Sequence, residues 1–233
     1  MFLFISLSVL FLLWNQGIFL LNSANAKSYS VKGVDVATYQ GEINWSTLEQ
    51  QELTFAFIKA TEGSKFVDDY FFSNWKNASQ TKLRIGAYHF FSYDSEGKTQ
   101  AENFIKTVPW EKNTLPPVID VEFYGDKEKN PPNPVQVEKE LKDMIQILEE
   151  HYDKQVILYA TEKAYNLYIK NRFDNCDIWI RNVYKKPALT DKRKWTFWQY
   201  ADKGQLAGYN GKEKFIDLNV FNGNEKEFAE YGK

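Results

Sequence analysis

Cysteine is nearly absent: Cys176 stands alone in 233 residues, so neither an intrachain disulfide nor a cysteine zinc cluster can form. Histidine is almost as scarce. His89 and His151 are too few and too isolated to build a histidine metal site; both are assigned to structure, and no metal or cofactor is expected. A dominant charge is missing as well. The 29 basic residues are scattered among 31 acidic ones for a net charge of −2, and no basic stripe marks a nucleic-acid footprint. Internal repeats and low-complexity tracts are lacking too.

What is present is core-forming material. A content of 43% hydrophobic and 17% aromatic residues is ample for one domain with a sizeable core, and a second large domain is not expected. From Met1 to Leu21 the chain is apolar, broken only by a few polar residues such as Asn15 and Gln16, and Ala24-Asn25-Ala26 then supplies a small-x-small cleavage pattern. This reads as an export signal over residues 1–26, cleaved after Ala26, with residues 27–233 as a single catalytic domain. No Lys or Arg precedes Lys27, so an uncleaved anchor within residues 1–21 is the alternative. Either way the expected location is secreted or cell-envelope. An exported protein without disulfides must rely on core packing.

Past Lys27, short apolar strands alternate with amphipathic helical segments, the pattern of a parallel sheet or barrel. Strands are predicted at Val31–Val36, Phe55–Ala60, Ile85–Phe91, Val118–Phe123, Val156–Ala160, Ile178–Arg181, Thr196–Tyr200 and Ile216–Phe221. Helical spacing occurs over Asp69–Ala78 and Gly97–Thr107. Val135–His151 repeats apolar residues at Val137, Leu141, Met144, Ile145 and Leu148, and Ser46-Thr47-Leu48-Glu49 reads as a capping box. The connections Asn182–Lys194 and Ala201–Phe215 are rich in Gly, Pro and Lys with weak periodicity. The expected fold is therefore α/β: a single irregular (β/α) barrel of about eight mostly parallel strands, with incomplete helices in its later part. Gly125–Pro134 reads as a rim loop.

Acidic side chains interrupt the fourth predicted strand in Pro117-Val118-Ile119-Asp120-Val121-Glu122-Phe123. Strand side chains alternate faces at about 3.3 Å per residue, so Asp120 and Glu122 share a face. Breaking a glycosidic bond needs one carboxylic acid to protonate the leaving oxygen, and a second acidic group, or a substrate group it orients, to stabilise the oxocarbenium-like centre. On these residues alone two readings stay open: that chemistry, or a loop cap at Asp120 followed by a solvated strand end at Glu122.

In a barrel of parallel strands, catalytic groups gather at the carboxyl ends, so unusual residues there are read together. Gly33-Val34-Asp35-Val36 sets an acid between valines, where it must be paired or functional to offset its desolvation. Gly86-Ala87-Tyr88-His89-Phe90, Phe197-Trp198-Gln199-Tyr200 and Ile216-Asp217-Leu218-Asn219 bring further acids and aromatics. Aromatic faces stack on sugar rings while their polar atoms bond hydroxyls, although core filling is the ordinary use of any one ring. The candidate cleft comprises Asp35, Asp120 and Glu122 as catalytic acids, with Asp217, Tyr88, Phe90, Tyr124, Tyr159 and Trp198 as substrate contacts.

These residues resemble the glycoside hydrolase family 25 lysozymes, the bacterial and phage muramidases, over essentially all of Val31–Phe221. The resemblance rests on Gly33-Val34-Asp35-Val36 with Tyr39-Gln40-Gly41 and Ile43-Asn44-Trp45, on Phe55 to Gly63, on Gly86 to Phe90, on Asp120-Val121-Glu122, on Phe197 to Tyr200, and on Asp217 to Phe221. It implies an irregular (β/α) barrel that hydrolyses the β-1,4 bond between N-acetylmuramic acid and N-acetylglucosamine in peptidoglycan, without metal or cofactor. It further implies Glu122 as general acid, Asp120 orienting the acetamido group or stabilising the positive centre, and Asp35 and Asp217 as the other acids of the cleft. The chain departs from the family at Ala37-Thr38, where many relatives carry Ser-His or Ser-Lys, and at Arg181-Asn182, where relatives often place Ala and a following Tyr. Glycan strands are the expected partner of a monomer that needs no nucleic acid and no obligate protein partner. Two other functions stay in view. A chitinase-type N-acetylhexosamine hydrolase would carry Asp-x-x-Asp-x-Asp-x-Glu, which is absent around Asp120. A glycan-binding module that does not cut would have no need of a protonated carboxyl group.

Overall fold

The apolar runs form strands whose hydrogen bonds close into a ring. In this computed structural model, which describes residues 12–233, the strands are β1 (Lys32–Val36), β2 (Phe55–Glu62), β3 (Phe66–Val67), β4 (Arg84–Phe90), β5 (Val118–Val121), β6 (Ile157–Thr161), β7 (Asp177–Arg181), β8 (Phe197–Gly204) and β9 (Ile216–Phe221). The order β1-β9-β8-β7-β6-β5-β4-β2, with β1 pairing back to β2, makes an eight-stranded barrel. Neighbours run parallel from β1 through β8, and β9 lies antiparallel to both β8 and β1. The short β3 is an addition to the expected set: it folds back on the end of β2 as an antiparallel flap.

Helices pack around the ring, most of them between β1 and β7. They are α1 (Ser23–Ala26), α2 (Trp45–Glu49), α3 (Phe71–Ala78), α4 (Gly97–Thr107), α5 (Pro134–Tyr152), α6 (Glu162–Ala164), which continues as a π-helical turn over Tyr165–Ile169, and α7 (Glu225–Glu230). In α5 the Asn133 side chain accepts from Val135 N, Pro134 occupies the first turn, and left-handed Asp153 ends the helix. Its stripe of Val137, Leu141, Met144, Ile145 and Leu148 is buried, as its spacing predicts. The capping box expected at Ser46 is corrected. Asn44 caps α2 by accepting from Thr47 N, and Ser46 only donates its hydroxyl to that same Asn44 oxygen. Among the described residues no helix joins β7 to β8 or β8 to β9, in keeping with an incomplete outer layer.

Strand parity divides the core into two layers. Outward residues such as Val34, Ile58, Ile119, Leu158, Ile178 and Trp198 pack under the helices and loops. Inward residues fill the barrel with rings: Phe57 stacks on Trp179 with centroids 4.6 Å apart, and Phe55 meets Phe197 at 5.2 Å. Gly86 makes room for this filling, since a Cβ there would lie 2.8 Å from both the Phe57 ring and Leu115.

The first eleven residues of the expected leader lie outside the described residues. Its later part packs on the barrel. Asn22 is fully buried and donates to the carbonyls of Asn182 (3.1 Å) and Tyr200 (3.3 Å), and Ala26 is buried beside it.

Because the inner rings have nowhere to move, Gly86→Ala should destabilise the barrel by about 1–3 kcal/mol through overpacking. Urea denaturation measures this, and an unchanged midpoint would contradict the packing described.

Candidate active site

The parity that points rings into the barrel also decides what stands above them. One step of two residues toward the carboxyl ends takes Gly33 to Asp35, Phe57 to Lys59, Val118 to Asp120, Trp179 to Arg181 and Phe197 to Gln199, so a polar layer rests on an aromatic one. On the antiparallel β9 the order reverses, and Asp217 precedes Asn219 and Phe221. Asp35, Lys59, Asp120, Arg181, Gln199 and Asp217 of this polar layer line a cleft of about 420 Å3. Asp35, Tyr88, Phe90, Asp120, Glu122, Tyr124, Tyr159 and Asp217 all border it, which brings together every sequence candidate except one. The exception is Trp198. It is fully buried on the outer face of β8, with its indole donating to Asn182 O at 2.9 Å, because it lies one residue out of phase with inward Phe197 and Gln199. Trp179 is the tryptophan that lines the cleft.

Asp35 sits at the centre of a fixed network. Asn219 Nδ2 (2.6 Å) and Gln199 Nε2 (2.9 Å) both donate to its Oδ1. The amides cannot flip, because Trp179 Nε1 donates to Asn219 Oδ1 at 2.8 Å and the Tyr159 hydroxyl donates to Gln199 Oε1 at 2.9 Å. Directly across the β1–β9 pairing stands Asp217, which hydrogen-bonds Asp35. Two carboxylates so placed cannot both be charged cheaply. Burial, then the charge of Asp35, pushes Asp217 well above the usual carboxylate range. Asp35 is raised by burial but held down by its amide donors, so a proton shared by the pair favours Asp217.

The second pair stands on the other side of the cleft. Asp120 Oδ1 is buried without a hydrogen-bond partner, and Asp120 is pushed well above its ordinary value by burial and then by Glu122. Glu122 lies one residue beyond β5 and is raised to about 6 by burial and by Asp35, against the opposing pull of Arg181. Cations limit the crowding. Lys59 is buried, pairs with Glu62 at 2.8 Å and lies 4.9 Å from the centre of the Phe90 ring, while Arg181 reaches Asp202 at 2.7 Å. Arg181, Asp202, Lys59, Gln199 and Asn219 were not among the sequence candidates. Counting in steps of two from Trp179 and Asp217 would have found Arg181 and Asn219.

Neither histidine lines the cleft. His89 is fully buried between the Thr61 hydroxyl (2.7 Å) and Gln100 Oε1 (3.0 Å), and burial lowers it to about 4. His151 ends α5 with its ring against Tyr152.

Comparison with known proteins gives a consistent result. The family profile described as glycosyl hydrolases family 25 matches residues 34–209. A solved family 25 glycosyl hydrolase from Bacillus anthracis is 64% identical, with a TM-score of 0.85 over 88% of this chain and 95% of that one. A bacterial lysozyme structure from Streptomyces coelicolor is 30% identical, with a TM-score of 0.76 over 86% of this chain and 95% of that one. Lysozyme M1 of Streptomyces globisporus is 31% identical over 214 residues, covering 85% of this chain and 70% of that protein.

The four raised acids carry a stability consequence. Each binds its proton more tightly folded than unfolded, so stability contributed by the protonated forms is lost as pH rises from the unfolded carboxylate range through the folded values. Asp120→Asn removes one such group without breaking a hydrogen bond at Oδ1. The variant should therefore melt above the wild type at pH 7, with a smaller gap at pH 4. Thermal melts across that range check this, and a variant less stable at pH 7 would contradict it.

Proposed function

This chain belongs to the glycosyl hydrolases family 25, and from that premise we infer that its cleft is the active site of a lysozyme that cuts the β-1,4 bond between N-acetylmuramic acid and N-acetylglucosamine in peptidoglycan. The observation that carries the assignment of roles is a carboxyl group raised to about 6, Glu122, beside a second raised acid, Asp120, that lines the same cleft. Glu122 is the general acid. Its proton goes to the glycosidic oxygen as the bond to the anomeric carbon breaks.

In the free site Asp120 holds its proton more firmly than Glu122 does. Substrate reverses the order. An acetamido N–H donating to the Asp120 carboxyl group from the cleft favours its anion and places a new negative charge beside Glu122 that keeps the acid protonated. Asp120 then stabilises the positive centre as it develops. Asp35 acts through its field, and Asp217, Tyr88, Phe90, Tyr124 and Tyr159 shape the walls that hold the sugars. The site draws on a single chain, and the protein is proposed to act as a monomer on glycan strands.

Peptidoglycan lies outside the cytoplasmic membrane, so the protein is proposed to be exported, with residues 1–26 as the leader and residues 27–233 as the catalytic domain. Among the described residues no helix is long and apolar enough to cross a membrane. Processing after Ala26 would remove Asn22 from the Asn182 and Tyr200 carbonyls and expose them to water. N-terminal sequencing of the exported protein should find Lys27, whereas an intact leader would show that this docking is kept.

Digesting purified peptidoglycan tests the activity. Muramic acid is expected at the new reducing ends, and a glucosamine end or the absence of product would overturn the reading. Glu122→Gln should preserve the fold and lower turnover by about a hundredfold or more. Asp120→Asn should lower turnover far more than it weakens binding. Because Glu122 must be protonated to act, the wild-type kcat/KM should fall as pH rises through about 6, the value of the free protein. Removing the Asp35 charge with Asp35→Asn should move that limb to lower pH, and removing the Arg181 charge with Arg181→Ala should move it higher; shifts of the opposite sign in the pH profile would refute the electrostatic account.

A further inference from the structure

A second groove begins where the cleft ends. It has a volume of about 520 Å3 and runs between Tyr39 and Tyr70, with Asp69 and Lys212 on its edges. Tyr39 borders both the groove and the cleft, so one ring joins them. That ring is 58% exposed and Tyr70 is 37% exposed, in a barrel that encloses most of its large aromatics.

The groove is held open from beneath. Asp68 is buried, and its two oxygens accept from the backbone of both walls: Thr38 N donates to Oδ2 at 2.9 Å and Tyr70 N to Oδ1 at 3.0 Å. A buried carboxyl group costs desolvation, so spending one on two surface loops needs a reason. Its effect is to fix the backbone under Tyr39 relative to the backbone under Tyr70. The third side is tied down as tightly. Gly211 N donates to Gln40 O at 3.0 Å and Glu213 N to Tyr39 O at 2.9 Å, and a side chain at Gly211 would collide with the Tyr39 carbonyl. The walls are set before any ligand arrives.

We propose that this groove is a further glycan subsite, taking a sugar ring of the same strand beyond those held in the catalytic cleft. The proposal rests on the lysozyme reading and extends it. A pyranose ring offers apolar C–H faces and a hydroxylated rim, which matches two exposed tyrosine rings flanked by one acid and one base. The substrate is a polymer, so a strand cut in the cleft must continue past its end, and Tyr39 marks a built path for it. Contacts this far from the reacting bond supply binding energy that can be used at the reaction centre.

Calorimetric titration of the Glu122→Gln protein with purified peptidoglycan glycan tetrasaccharide and octasaccharide tests the groove separately from cleavage. The octasaccharide should bind about tenfold more tightly, the factor that one good ring contact supplies, and adding Tyr70→Ala should remove most of that gain. Lys212→Ala in the same background is the second variant, expected to reduce the gain in the same direction. Equal affinity for the two lengths, or a length gain untouched by Tyr70→Ala and Lys212→Ala, would overturn the proposal. Wild-type protein that cuts neither strand would contradict the lysozyme reading instead, while the length dependence of binding would still report on the groove.

Discussion

Closure of a parallel barrel by one antiparallel strand is the constraint on which the site of this molecule depends. Because β9 runs against β1, its beginning rather than its end reaches the carboxyl rim, and Asp217 comes to lie opposite Asp35. The next inward residue, Asn219, then falls where it can donate to Asp35 while its own oxygen is held by Trp179. Gln199 completes the arrangement from β8, on the other flank of β9. Strand closure and acid placement are therefore one event. A register slip of one residue at this seam would turn Asp217 and Asn219 to the outer face and strand Asp35 without its donors.

The aromatic layer beneath gives this arrangement its electrostatic character. Phe57, Trp179 and Phe197 leave no room for water under the acids, so carboxyl groups at the rim are desolvated on one side and open to the cleft on the other. Their values rise to different degrees because their donors differ. Asp35 has two amide donors, Asp120 has none at Oδ1, and Glu122 feels Arg181. Acids of the same type thereby acquire different protonation states in one cleft, the condition for dividing labour among them. The arrangement is held together at a cost in stability, which the packed barrel and its outer helices offset.

Much of this was legible in the sequence because the signals were physical. Eight short apolar runs carried their own lengths, and α5 announced itself by a buried stripe between Asn133 and Asp153. The acids were legible because Val-Asp-Val and Asp-Val-Glu cannot be ordinary core. What escaped depended on phase or on distant partners. Trp198 and Trp179 look alike in sequence, and only the parity of β7 and β8 sends one outward and the other into the cleft. Asn44 displaced Ser46 as a cap because the first helical residue is Trp45, two places earlier than the motif suggests. The work of Arg181 and Lys59 appears only once Asp202, Glu62 and the four acids stand around them. Asp68 carries no signal in the sequence, because it ties together two loops far apart in the chain.

The central claim is that burial, with Arg181 opposing it and Asp35 adding to it, holds Glu122 above the usual carboxylate range. Carbon-detected NMR titration of the side-chain carboxyl groups, assigned by comparison with Glu122→Gln, measures that directly. The account predicts a midpoint for Glu122 of about 6 in the free protein. A midpoint near the ordinary value of 4.5 would contradict it.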